Sequence, residues 1–570
     1  MAIFERQTPN KVLLDDTEPI KCTIENWKNV NGHTEFIVRV YRGPFSDQTW
    51  KISKRYNDFF KLHNALQNSG IPIEFPPKKL IGNMDPHFIS ERQQGLQKYL
   101  DNVFMNPILV SSLPARSFVD PANYCQPFGE LALQHVSLAL RGEVGWEVVG
   151  PINDIGWRLR KHYYQLKCKS IPKEELFGSW TDYGPDKHLD DKEMHAIFKS
   201  LGQLQHPYIH AIELSICTEI GGLVARLGHK NGTLRDILCG AKPRQSFLKK
   251  YGNPKGHKGL PIEQISLYGR QILEALKFMH DKGFPYGHLH TGNIVIDDNR
   301  VKLLDIENGV MGVPSYYRPY FMQHKKINNV EAIDVYCFGH VLYEMMFGAP
   351  LHESIADNIP ACPMRNILVK ILTTEACKNG LPKIMDLLAD PFFSFVQLSL
   401  LPTDRAHFKI PSSTKEQLKS VVAKMEERLI GEQKLVRSQK RLARVQEMMS
   451  CEEEKKKHRH KMERMAKEQH KQNKKLEKAN SVNGDRPESL NSSAATSVGT
   501  ATPPSIAGSN VPSPQPPPPP PLLDAPVPPP PPPLINGAPQ TMPGVDKDRS
   551  QLLGAICNFN KSSLRKTKVS

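Results

Sequence analysis

The sequence predicts a multidomain α+β chain, and three observations predict it. At 570 residues the chain exceeds what one hydrophobic core organises, since domains usually hold about 100 to 200 residues. Its first part passes from strand-like alternation to helical spacing. After about residue 410 its composition changes, first to a charge-dense stretch and then to one dominated by proline.

In the N-terminal part, TEPIKCTIENWKNV, HTEFIVRVYR and TWKISKRY alternate apolar and polar residues with turn residues between them, which predicts an antiparallel meander. Helical spacing follows at DFFKLHNALQ and again at FISERQQGLQKYLDNVF. Arg55 offers a planar fork suited to bidentate phosphate contact, and Tyr56 offers a ring face on which an inositol can lie.

The stretches KISKRYNDFFKLHNAL, EFPPKKL and ERQQGLQKYL, in that order and spacing, resemble the PX phosphoinositide-binding family over residues 14–126. The resemblance implies a PX fold in which Arg55 meets a 3-phosphate and Tyr56 stacks on the inositol. It places Lys78 or Lys79, after the Pro76–Pro77 turn, on another phosphate and Arg92 on the ring hydroxyls. The competing reading makes Arg55 and Arg92 ordinary surface arginines of a protein-binding module. Phe88 and Ile89 read either as bilayer-inserting residues or as core.

The strongest landmark of residues 127–410 is AIDVYCFGHVLYEMMFG, an apolar helix opening with an acid. Around it stand QHPYI, NGTLRDIL, ISLYGRQILEALKFMHDKG, YGHLHTGNIVI, VKLLDIENG and LLADPFF, and in this order they resemble the protein-kinase family. The resemblance implies a two-lobed protein-kinase-like fold with Asp334 supporting the catalytic loop from beneath. It places Asn293 on the metal-binding asparagine and Asp305 on the magnesium aspartate, while Ile306 and Glu307 replace Phe and Gly.

Tyr286, Gly287 and His288 replace the family's His, Arg and catalytic Asp, so the position of the base holds His288. Gly150 and Gly156 keep the outer spacing of a glycine-rich loop, with Ile152 in its middle and Pro151 stiffening the turn. Lys167 aligns with the strand lysine and Glu193 with its helical partner. The domain therefore reads as a pseudokinase without a catalytic residue, keeping at Lys167, Glu193, Asn293 and Asp305 a residual site for ATP and magnesium. A rival reading makes His288 an unusual base and the domain a weakly active kinase.

Residues 411–480 predict a basic helix, with Leu435, Leu442 and Met449 spaced by sevens, Gly431 interrupting the register and EEEKKKHRHK beyond. Such a segment reads first as a solvated helix; attraction to anionic lipid is its better functional reading, because it lacks the aromatics or known fold that nucleic-acid binding needs. Residues 481–547, with PQPPPPPPLL and APVPPPPPPL, bury too little apolar area to offset ordering entropy and predict a disordered tail of polyproline II character. Such tracts suit profilin, SH3, WW or EVH1 partners.

Residues 548–568 turn amphipathic, with Leu552, Ile556 and Phe559 at i, i+4 and i+7 before an extended basic LRKT. They resemble the WH2 motif, which implies actin binding through Leu552, Leu553, Ile556, Leu564, Arg565, Lys566 and Thr567. The alternative is a tail with no partner.

A net charge of +16 suits anionic partners without choosing among them. Ten cysteines never form a C-x-x-C pair, which argues against a disulfide framework and a zinc site and for reduced thiols. No apolar run approaches the roughly 20 residues of a spanning helix, MAIFERQTPN is not a secretory signal, and Ala2 and the final KVS encode no lipid anchor. The expectation is a cytoplasmic protein held peripherally on endosomes or plasma membrane, an adaptor linking receptor or ion-transporter cargo to endosomal trafficking and actin. Its rivals are the weak kinase above and a cytoskeletal scaffold without lipid specificity.

Overall fold

The computed structural model describes residues 15–43, 48–78, 85–125, 127–254, 256–402 and 404–480. The proline-rich segment, the seven residues expected to meet actin, and Lys79 lie outside the described residues.

Strands β1 (Ile20–Val30), β2 (His33–Arg42) and β3 (Thr49–Arg55) form an antiparallel meander, as the alternation predicts. Asn31 and Gly32, both at positive φ, make the two-residue turn between β1 and β2, where such a turn matches the twist of the strands. Ile20, Cys22 and Ile24 of β1 and Phe36, Val38 and Val40 of β2 point inward. They meet α1 (Tyr56–Leu66) and α2 (Pro86–Met105), whose Ile89, Leu96, Tyr99, Leu100 and Val103 follow helical spacing. Ile89 is thus a core residue. Helices α3 (Pro107–Val110), α4 (Leu113–Val119) and α5 (Pro121–Tyr124) close this domain, and α6 (Phe128–Leu140) leads out of it.

The next lobe is a five-stranded antiparallel sheet in the order β4-β5-β6-β8-β7, with α7 (Asp191–Leu201) packed on it. Its strands are β4 (Trp146–Ile152), β5 (Lys161–Cys168), β6 (Leu176–Asp182), β7 (Leu214–Cys217) and β8 (Gly221–Leu227). The helical lobe follows with α8 (Leu234–Leu238), α9 (Phe247–Tyr251), α10 (Ile262–Asp281), the hairpin β9 (Ile294–Asp297) and β10 (Arg300–Leu303), and α11 (Arg318–Phe321). At its centre stands α12 (Val330–Phe347), apolar on almost every side and buried on almost every side, capped by Asn329 and stopped by left-handed Gly348. Four short helices follow: α13 (Arg365–Leu372) packs on α12, α14 (Thr374–Asn379) on α13, and α15 (Ile384–Ala389) and α16 (Pro391–Ser394) on α10.

The last helix, α17 (Ser412–Asn480), starts as a brace rather than a free basic rod. Leu418, Val421 and Leu429 join the same core as α10 and α12. The buried Gln433 amide donates to the carbonyls of Phe321, His324 and Ile327 at 3.3, 3.0 and 2.8 Å. The boundary expected at 410/411 therefore falls inside a continuous core, because the helical lobe lacks a cover on this side until α17 supplies it.

The described residues up to Gln446 cluster as one compact unit, and those from Glu447 form a second. Within the first unit α9 is shared. Leu248 packs on the core of the N-terminal domain, Phe247 and Tyr251 cluster with Ile108 of α3, and Asn253 just after α9 donates to the Gly70 carbonyl at 3.2 Å. On its other side, the Phe247 amide donates to the Asp154 carbonyl at 2.6 Å, in the turn between β4 and β5.

Candidate functional site

Two sites are built on this frame. The first lies where β3 ends and α1 begins. Arg55 is the N-cap residue of α1, its amide bonded to Asp58 Oδ2 at 3.0 Å, and its side chain is 51 % exposed with Nε 3.8 Å from Asp58 Oδ1. Tyr56, next along the chain, anchors its hydroxyl on the Pro76 carbonyl at 2.7 Å. The Arg92 guanidinium lies 4.3 Å from the Tyr56 ring centre and 4.3 Å from that of Phe88, so two rings grip it.

The structure thus brings Arg55, Tyr56 and Arg92 together, with Arg92 covering the Tyr56 ring. Lys78 is exposed beyond the Pro76–Pro77 turn, whose first residue holds Tyr56. Arg55, next to Tyr56 in the chain, and Arg92, on the Tyr56 ring, offer two forks for the oxygens of a phosphorylated ring.

The second site is the cleft between the two lobes, a cavity of about 400 Å³. Asp334 of α12 accepts from the Gly287 amide and from His280 Nε2, both at 2.8 Å, and so supports the loop before β9 from below. Gly287 sits at φ 69°, a left-handed position that suits glycine where the family has arginine. His288 is buried, and burial together with the Arg158 guanidinium holds its imidazole neutral, far below its ordinary pKa. Its Nδ1 lies 3.5 Å from Arg158 Nη2. Asn293 turns its amide onto the His288 carbonyl at 3.0 Å.

Asp305 holds a left-handed backbone at φ 57°, and its carboxylate meets Lys161 Nζ at 2.6 Å. Burial alone would raise this carboxyl, but Lys161 and Arg226 hold it below the usual range. Glu307, two residues on, is buried and gripped bidentately by Arg226 of β8 at 3.2 and 2.5 Å.

Three expectations change. The lysine at Asp305 is Lys161, at the loop end of β5. Lys167 lies exposed on the same strand, six residues or about 20 Å further along. Glu193 caps its own helix, exchanging 2.8 Å bonds with Asp190, instead of meeting a lysine. Gly150 lies inside β4 opposite Gln165, at an irregularity after Val148, so of the two expected loop glycines only Gly156 is in the β4–β5 turn. From that turn Arg158 donates to the Pro314 carbonyl, and Trp157 meets the Tyr316 ring at 5.0 Å.

Arg158, Lys161 and Arg226 are the cleft residues that motif alignment missed. The signal for Lys161 was present: it shares a strand face with Lys167, but at the end next to the turn. Arg226 had no motif to announce it.

Magnesium does not fit this donor set. Asp305 and Glu307 already hold cationic side chains, and Asn293 points at a peptide carbonyl.

The PX domain family matches residues 42–122 and the protein kinase domain family residues 203–428. The chain is 47 % identical over 449 residues to the mouse PX domain-containing protein kinase-like protein, covering 78 % of this chain and 77 % of the mouse protein. It is 32 % identical over 234 residues to the fruit-fly Slowpoke-binding protein, covering 39 % of this chain and 45 % of that one. It is 31 % identical over 290 residues to a Dictyostelium protein named probable inactive serine/threonine-protein kinase slob1, covering 45 % of this chain and 48 % of that protein. With a PX domain followed by a kinase-like domain and this extent of identity, the chain belongs to the family of PX domain-containing protein kinase-like proteins.

Proposed function

We propose that this chain is a phosphoinositide-guided membrane adaptor whose kinase-like domain does not transfer phosphate. The observation that carries the reading is the arginine pair around Tyr56: Arg55 half exposed, Arg92 fixed between two rings. That arrangement suits a 3-phosphorylated inositide, with exposed Lys78 adding charge. A buried neutral His288 at the base position and a lysine on Asp305 support the loss of phosphoryl transfer.

Docking would hold the protein peripherally on endosomes or plasma membrane from the cytoplasmic side; among the described residues no helix is long and apolar enough to cross a membrane. A relative named Slowpoke-binding protein supports a protein partner, and a receptor or ion transporter is the partner this architecture suits. The proline tracts and the WH2-like segment add profilin-type or SH3-type partners and actin. Several weak contacts to one membrane would set residence time by avidity.

Flotation of the full chain with vesicles carrying a panel of phosphoinositides tests the reading. Recruitment that needs a 3-phosphate and falls by about tenfold or more in Arg55→Ala supports it. Salt-sensitive binding indifferent to headgroup and mutation would leave a basic scaffold.

A further inference from the structure

An active kinase neutralises nucleotide phosphates with magnesium held by an aspartate and an asparagine. Here both ligands are engaged otherwise: Lys161 holds Asp305, and Asn293 is turned onto the His288 carbonyl. A divalent ion would have to expel Lys161 from a buried carboxylate and settle beside the Arg226–Glu307 pair.

The lining still holds more cations than carboxylates. Lys161, Arg226 and Arg235 are paired with Asp305, Glu307 and Glu344, whereas Arg158 has no carboxylate on it. Arg158 is buried, and its hydrogen-bond acceptor is the Pro314 carbonyl, so its charge is not cancelled by a carboxylate bonded to it. Ile152, Leu227, Val295 and Leu304 add apolar surface to the lining. Apolar surface beside fixed cations, with about 400 Å³ of space, matches a heterocycle carrying phosphates.

We propose that the cleft binds a nucleoside di- or triphosphate without magnesium, Lys161 and Arg158 supplying the positive charge that the metal supplies in an active kinase. With no metal and no base, the bound phosphates are held and not transferred, and the nucleotide serves as a structural ligand.

The proposal rests on the reading of the domain as inactive, and the test separates the two. ADP, ATP, adenosine and pyrophosphate are titrated calorimetrically into the full chain, in EDTA and again in magnesium, with ATP hydrolysis followed in the same samples. ADP and ATP should bind equally in both buffers, adenosine and pyrophosphate each about tenfold more weakly, and Arg158→Gln should lower ADP affinity by about tenfold. Lys161→Met should do the same, and a melting curve shows whether each variant is folded.

A magnesium requirement, no binding of ADP or ATP by the folded wild type, pyrophosphate binding as well as ADP, or an unchanged affinity in folded Arg158→Gln each overturns the proposal. Magnesium-dependent binding without turnover sinks the proposal alone, whereas magnesium-dependent turnover sinks the inactive reading as well.

Discussion

Lys161 Nζ stands 2.6 Å from Asp305 Oδ2, and this lysine comes from the second strand of the sheet lobe, where active kinases take theirs from the third. Both groups are almost fully buried, so removing one strands the other. Lys161→Met and Asp305→Asn should each lower stability by roughly 3 kcal/mol, and the double variant should recover much of the loss. Thermal or urea unfolding of the four proteins measures it; simple additivity would mean that the pair does not interact energetically.

Arg92 is expected to hold the lipid site together as well as to meet the ligand. Arg92→Gln should weaken vesicle binding and also lower the melting point, by about 1 to 2 kcal/mol of stability for the two lost ring contacts. Arg55→Ala, at a half-exposed position, should leave the melting point alone. Equal melting points for the two variants would show that the rings do not grip Arg92.

The brace at the start of α17 predicts a sharp dependence on chain length. A chain ending at residue 410 loses the burial of Leu418, Val421 and Leu429, about 2 kcal/mol each, and three carbonyl bonds from Gln433. It should melt well below a chain ending at 446, or fail to fold. Equal melting curves would mean that the helix is dispensable.

Glu18 gives a pH dependence. Burial, and then Asp15, push its carboxyl from 4.5 up to about 7, against the pull of Arg42 and Arg318. A pKa raised on folding favours the protonated folded state, so this contribution is complete below the ordinary value and is lost as pH rises through about 7. Glu18→Gln should therefore be the more stable protein at pH 8, on the order of 2 kcal/mol, with the gap closing near pH 5. Melting curves at both values decide; a gap that widens on acidification would refute the assignment.

Much of this was legible in the sequence because periodicity and spacing report local structure. The three strands ending at Arg55, the pairing of Arg55 with Tyr56, and the place of Asp334 beneath the catalytic loop all depend on contacts that short motifs encode. The cleft was less legible. Lys161 and Lys167 share a strand face, and only the position of the β4–β5 turn decides which of them reaches Asp305. Arg158 and Arg226 answer residues far away in the chain, and no local pattern marks such a pairing. Glu193 looked like an ion-pair partner because a helix N3 glutamate and a lysine partner are the same letter, and only the capping geometry tells them apart.

The shared position of α9 ties the two sites into a single account of free energy. Its Leu248 leans on the PX core, while Phe247 is bonded to the turn that carries Arg158. A ligand that draws this turn inward pulls on a helix the PX domain also holds, so by thermodynamic reciprocity any factor by which nucleotide alters affinity for a membrane is the factor by which the membrane alters affinity for nucleotide. A cleft that holds its ligand without reacting would in this way still report its state to the PX domain.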